Sequence, residues 1–157
     1  ARDGTITAAT SSSISDGAAA VVLSRESVAK ANGQQPVAKI VAMAAHAQEP
    51  AQFTVAPIGA IEKVLDKAGW SADEVELWEV NEAFACVAMF AMRDIGIPHD
   101  KINVNGGGTA LGHPIGASGT RIIVTLLNAL KQQGKKRGVA SLCIGGGEAT
   151  AVAVELV

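Results

Sequence analysis

The chain has 157 residues, 48% of them apolar and 3% aromatic, with a net charge of −2. That length supports one domain with a real core. The lack of a lysine/arginine stripe excludes a nucleic-acid footprint, and no apolar run reaches the roughly 20 residues that span a bilayer.

Residues 1–16, rich in Thr, Ser, Ala and Gly, read as a loop, with Ser15 or Asp16 as N-cap of a short helix. There is no initiator methionine and no apolar signal region, so the chain is expected to be a piece of something longer. Residues 18–23 fit a strand or a buried helix, and 24–33 a polar turn. A strand is expected over 37–45. Over 54–69 Ile58, Ile61, Val64, Leu65 and Ala68 recur at helical spacing, with Pro57 near the start and Gly69 at the end. Ser71 to Glu74 resembles a capping box, followed by a strand over 75–80. The run 82–95 is apolar nearly all round, which predicts a helix buried between layers. A short strand over 101–104 enters a loop with six glycines, His113 and Pro114, and a helix over 117–133 leaves it. Strands over 138–144 and 149–157 flank Gly145-Gly146-Gly147 and form an antiparallel hairpin.

Alternating strands and helices predict an α/β fold: a mixed five-stranded sheet, mostly parallel with the last strand antiparallel, and helices on both faces. Ligands of such sheets gather at the carboxyl ends of the strands. Asn81 follows one strand, His113 lies on the loop after another, and Cys143 ends a third, so the three can converge.

Asn81-Glu82-Ala83-Phe84-Ala85, the 105–119 loop with Gly112-His113-Pro114, and Cys143-Ile144-Gly145-Gly146-Gly147 together resemble the thiolases, the acetyl-CoA C-acyltransferase family. Ser15-Asp16-Gly17-Ala18-Ala19-Ala20 is similar to the segment that precedes the family's C-terminal domain. The resemblance implies that residues 1–33 are the tail of the N-terminal domain and 34–157 the C-terminal domain. It also implies Claisen condensation of two acyl-CoA molecules, or thiolytic cleavage of a 3-ketoacyl-CoA. Acyl-CoA would be the substrate, with no resident cofactor or metal.

By motif match, Cys143 would move a proton on and off the α-carbon. His113 would activate the nucleophilic thiol and face the thioester oxygen. Asn81 would hold a water that completes an oxyanion hole, and the Gly145 N–H would help bind the oxyanion on the acylated cysteine. The family's nucleophilic cysteine and its CoA-binding loop domain belong to a part this chain does not contain. The chain alone is therefore expected to be inactive, with the missing N-terminal half as a partner. The resemblance further implies a homo-oligomer, dimer or tetramer, in the cytoplasm or, in a eukaryote, the mitochondrion. Where the family segment usually carries asparagine, Thr10 stands here.

Other residues carry blander expectations. Cys86, on an apolar helix, reads as packing. Both cysteines are expected to be reduced thiols, since they form neither a disulfide framework nor a CxxC metal pair. Glu82 is expected to cap the helix it opens. His46 and His99 read as solvent-facing or core histidines, Lys135 to Arg137 as a solvated basic turn, and Trp70 and Trp78 as apolar anchors. The glycine loop has neither Gly-Lys-Ser/Thr nor G-x-G-x-x-G spacing, which excludes nucleotide binding by those motifs. Two alternatives stand beside acyl transfer: a Cys-His-Asn thioester hydrolase, which needs an activated nucleophile at a helix N-terminus, and a non-catalytic assembly half.

Overall fold

The computed structural model describes residues 3–157. Four strands, β1 (Ala38–Ala47), β2 (Leu77–Val80), β3 (Arg137–Ile144) and β4 (Glu148–Leu156), form one sheet in the order β1-β4-β3-β2. Among the described residues five α-helices accompany it: α1 (Glu26–Ala31), α2 (Ala56–Ala68), α3 (Ala85–Ile95), α4 (Gly108–Leu111) and α5 (Ile115–Gln132).

The α/β class and the helices on both faces agree with the sequence, but the strand count and the direction do not. Only β2 and β3 run parallel; β4 is antiparallel to both β1 and β3, so the sheet is mostly antiparallel. The hairpin places β4 in the middle, where it sets the direction of two pairings. The strand expected over 101–104 is absent. Lys101 ends a 3-10 turn, and Ile102 makes a single bridge to Trp78. Asn103 then takes a left-handed conformation, φ +48°, which asparagine tolerates better than most residues. Its side-chain amide replaces a strand's backbone: Oδ1 accepts from the Val80 N–H, and Nδ2 donates to the Val80 carbonyl, both at 2.9 Å. The edge of β2 is thus satisfied without a fifth strand.

The core has two parts. On one face α2 and α3 pack Ile61, Val64, Leu65, Val87 and Ala91 against Trp78, Val80, Val139 and the β4 alanines. On the other, α5 packs Ile122, Leu126, Ala129 and Leu130 against Leu77, Ala140 and Val154. Alternate residues of each strand supply the two faces, as the pleat requires. The helix over 54–69 forms as expected, with Gly69 closing it at φ +68°. The Ser71–Glu74 capping box is present. The α3 helix buries one face only, since Met89 is 59% exposed; it lies on the sheet rather than between layers.

The segment ahead of β1 departs further from expectation. Residues 18–23 form neither strand nor helix, and Val22 and Leu23 are exposed. No helix begins at Ser15 or Asp16; a 3-10 turn lies earlier, at Ala8–Thr10, and α1 falls where a turn was expected. Beside α5, the half of the sheet formed by β1 and β4 is uncovered. A groove of about 450 Å³ runs there between Met43, Ala45, Val152, Leu142 and Ile123.

Candidate active site

The β2 strand delivers Asn81 to its carboxyl end, where the Asn81 N–H bonds the Ser141 carbonyl of β3 at 2.9 Å. The glycine loop passes the same end. Gly107 and Gly108 let it run directly over Glu82: a Cβ on Gly107 would collide with the Glu82 carboxylate, and one on Gly108 would stand 3.0 Å from the Glu82 carbonyl oxygen. Glu82 does not cap its own helix. Its carboxylate accepts from Asn103 Nδ2 at 2.8 Å and from the Thr109 N–H at the start of α4 at 3.1 Å, tying β2 to the loop.

The loop brings His113 to Asn81. Asn81 Nδ2 lies 3.5 Å from His113 Nε2, a long contact. On the other side of the ring, Ser118 of α5 stands 2.6 Å from Nδ1 and donates its own proton to the Pro114 carbonyl at 3.0 Å. With its hydrogen committed there, the Ser118 oxygen accepts, so Nδ1 carries the imidazole proton. Nε2 is left with its lone pair towards Asn81, the form in which an imidazole takes a proton. Ser118 was not singled out in the sequence. Its signal was a serine in the first turn of the helix, five residues past the histidine.

The backbone of His113 is held by the N-terminal segment. Its N–H donates to the Ser13 carbonyl at 2.8 Å, while the Ser12 N–H donates to the Ala83 carbonyl at 3.1 Å. Residues 12–14 therefore clasp both the Asn81 connection and the histidine loop. Gly112, at φ +92°, has no room for a Cβ beneath Ser15.

Burial, and then the Arg121 charge, lower the His113 pKa below 6.5, so the ring is neutral at pH 7. Asn81 is fully buried, and its Oδ1 has no partner among the described residues. An amide oxygen so placed is where a water can donate.

Cys143 is the last residue but one of β3, the strand beside β2. Since Val80 and Ser141 are register partners, Cys143 stands one step past the point opposite Asn81, roughly 6 Å away by strand spacing. Its side chain joins the α2/α3 core face and hydrogen-bonds neither Asn81 nor His113. Burial pushes the thiol pKa up, a backbone N–H pulls it down, and Cys86 adds a smaller upward push. Cys143 thus rests as a thiol, not as the thiolate a base requires. It precedes a hairpin turn rather than a helix, so the geometry of a helix-activated nucleophile is absent at this residue. Gly145 sits on the exposed tip of that turn with open space around it.

The structure therefore joins Asn81 to His113, sets Cys143 on the neighbouring strand, and leaves Gly145 at the rim. Cys86, near the start of α3, is half-buried. His46 bonds Gln48 at 3.0 Å, His99 is exposed, and Trp78 is buried. The basic turn is less free than expected: Arg137 pairs with Glu74 and Glu155 and covers Trp70.

Losing the Ser118 hydroxyl should free the imidazole to rotate and to exchange tautomers. Ser118→Ala in the complete protein is expected to lower kcat by roughly 10- to 100-fold with little change in KM. Steady-state kinetics measures this, and an unchanged kcat would remove Ser118 from the site.

Comparison with known proteins gives a consistent picture. Residues 34–156 match the family model described as "Thiolase, C-terminal domain". An acetyl-CoA acetyltransferase of Allochromatium vinosum is 51% identical over 154 residues, covering 98% of this chain and 39% of that protein. The cytosolic acetyl-CoA acetyltransferase of Mus musculus is 48% identical, covering 97% of this chain and 38% of its own length. The crystal structure of the Bacillus anthracis acetyl-CoA acetyltransferase superposes with a TM-score of 0.96 at 42% identity, over 99% of this chain and 39% of that one. The chain thus spans about two-fifths of the relatives it matches.

Proposed function

The chain belongs to the thiolase family through its C-terminal domain, and we propose on that basis that it is the C-terminal part of an acetyl-CoA acetyltransferase whose proton chemistry is carried by His113, Cys143 and Asn81. The observation that carries this reading is the contact between Asn81 and an imidazole whose free nitrogen faces it. Acyl-CoA is the substrate and no resident cofactor is required, since the chemistry is proton and acyl transfer alone.

The resting protonation states suggest an order of events. His113 Nε2 takes the proton of a nucleophilic cysteine supplied by the rest of the protein. That cysteine accepts the acetyl group from acetyl-CoA, and the departing CoA sulfur takes the proton of Cys143. Burial keeps Cys143 protonated at rest, so a proton is there to give, and the same raised pKa makes the resulting thiolate a stronger base for the next step. Cys143, now a thiolate, removes an α-proton from a second acetyl-CoA. The negative charge on that thioester oxygen meets protonated His113 and a water on Asn81. The carbanion attacks the acyl-cysteine, whose oxyanion lies at the Gly145 N–H. Collapse releases acetoacetyl-CoA, and the freed cysteine recovers its proton from His113. All protons return to their starting groups, so the sequence also runs backwards as thiolysis.

Several features support a partner for this chain in the rest of the protein: the exposed Val22, Leu23 and Ile115, and the open groove beside α5. The assembled protein is proposed as a homo-oligomer, dimer or tetramer, which light scattering measures. The proposed compartment is the cytoplasm, the location in the mouse relative's name, with the mitochondrion as the eukaryotic alternative. Among the described residues no helix is long and apolar enough to cross a membrane.

The test is direct. The chain alone, incubated with acetyl-CoA, is expected to form no acetoacetyl-CoA; the complete protein, or the two halves together, is expected to form it. Product from the chain alone would overturn the division of labour, and none from the complete protein would overturn the assignment.

A further inference from the structure

The turn that carries Gly145 is buttressed from outside its hairpin, by residues with no part in the proton and acyl steps. Residues 145–147 are three glycines, a run with ample backbone freedom. Within the hairpin the Gly147 N–H closes the turn by donating to the Ile144 carbonyl at 3.1 Å. Just past the end of β1, the Gln48 N–H donates to the Gly147 carbonyl at 3.0 Å. Among the described residues this is the one backbone hydrogen bond that reaches 145–147 from another part of the chain. The two backbones touch: Gly147 sits at φ +98°, and a Cβ there would collide with the Gln48 carbonyl oxygen.

Gln48 is itself locked in place. Its Nε2 donates to the Gln52 carbonyl at 2.8 Å, in the 3-10 helix Pro50–Val55, and the Gln52 N–H donates to the Glu49 carbonyl at 2.9 Å. With the amide nitrogen committed there, Oε1 faces His46 Nε2 at 3.0 Å and accepts from it. The other ring nitrogen, Nδ1, is buried without a partner among the described residues. It lies against Gly59 of α2, where a Cβ would stand 2.6 Å from it. A buried acceptor left unpaired costs stability, and an apolar side chain in the same place would avoid that cost. What the histidine adds over packing is its bond to Gln48.

We propose that Gln48 is a positioning residue, braced by His46 and Gln52, that fixes the glycine turn so that the Gly145 N–H stands ready for the oxyanion of the acylated cysteine. It touches no substrate and acts only through Gly147. The proposal rests on the reading that the Gly145 N–H binds that oxyanion. Such a donor works by being in place before charge develops, so a loosened turn slows the reaction without weakening substrate binding. Cys143 is held separately, by its pairing with Ala149 in the β3–β4 ladder.

Gln48→Leu in the complete protein removes both side-chain bonds at similar size. Hydrogen exchange followed by mass spectrometry should then show the Gly147 and Gln48 amides exchanging about 10-fold faster. Acylation and condensation should fall together, each by about 10-fold, with KM for acetyl-CoA little changed. His46→Leu should show both effects. His46→Gln, whose amide again offers Gln48 a donor, should return both towards wild type. If Gln48→Leu fails to fold, the two His46 variants decide. Unchanged exchange at the turn overturns the proposal, whether or not the protein transfers acyl groups. So does faster exchange with undiminished acylation, and so does an equal loss in both His46 variants, which would reduce the histidine to packing. Loss of condensation alone would trace the defect to Cys143 and overturn the proposal as well. Faster exchange in a protein whose wild type has no transferase activity would support the brace and overturn the functional reading instead.

Discussion

Replacing His113 with alanine in the complete protein is expected to lower acetoacetyl-CoA formation by about 10⁴-fold, the largest loss from any single residue of this chain. Two functions disappear together. General-base removal of the thiol proton contributes about 10²–10⁴-fold, and a donor at the thioester oxygen is worth about 2.7–4 kcal/mol. They share one ring, so the losses do not simply multiply. Both half-reactions should slow, which mass spectrometry of the acylated cysteine and a condensation assay measure separately. In the wild-type protein the sign of the pH effect is fixed by the lowered His113 pKa. Activity needs the neutral ring, so the midpoint of the acidic fall in rate should lie below pH 6.5. A rate already falling at pH 7.5 would exclude His113 as the group that must be neutral. So would a His113→Ala protein that still acylates at the wild-type rate.

Replacing Cys143 with alanine is expected to separate the two halves of the reaction. Removal of an α-proton has no substitute for the missing thiolate, so condensation should fall by about 10²–10⁴-fold. Acylation should fall far less, because a thiol is acidic enough (about 8.5 for a free cysteine) that the CoA sulfur can depart as its anion and collect a proton from water. Acyl-enzyme should therefore accumulate when Cys143→Ala meets acetyl-CoA. Equal loss of both steps would give Cys143 a place in acylation itself and return the thiol to candidacy as nucleophile. Cys143→Ser is a useful companion, since a hydroxyl keeps the volume but is far harder to ionise.

Much of this site was legible before any coordinates. Asn81 directly follows β2 and Cys143 lies at the far end of β3, both placed from the apolar runs of those strands, whereas the loop of His113 was placed from a strand that does not form. What the sequence concealed was mostly geometry that depends on partners remote in the chain. The missing fifth strand is one case: the apolar letters of 101–104 suit a strand, but a left-handed Asn103 takes over the hydrogen bonding of Val80 from the side. Glu82 is another. Its place beside a helix start suggested a local cap, whereas Gly107 opens space for it to reach a different helix 27 residues on. The direction of the sheet was misjudged because alternation of strands and helices implies crossovers, yet the final hairpin places β4 between β1 and β3. The protonation of the Cys143 thiol was equally hidden, since it is set by burial among α2 and α3 side chains from distant parts of the chain.

The clasp of Ser12 and Ser13 over the site bears on how this domain can be cut. Residues 34–156 match the family model, which makes residue 34 a natural starting point for an expression truncation. Such a truncation would remove the carbonyl that receives the His113 N–H and the bonds that fasten Ala83. The sheet would lose none of its four strands, so a truncated protein could look well folded by circular dichroism while its histidine loop had come unpinned. Keeping the sheet and keeping the histidine loop pinned call for different lengths of this polypeptide, and the difference includes a few serines near its beginning.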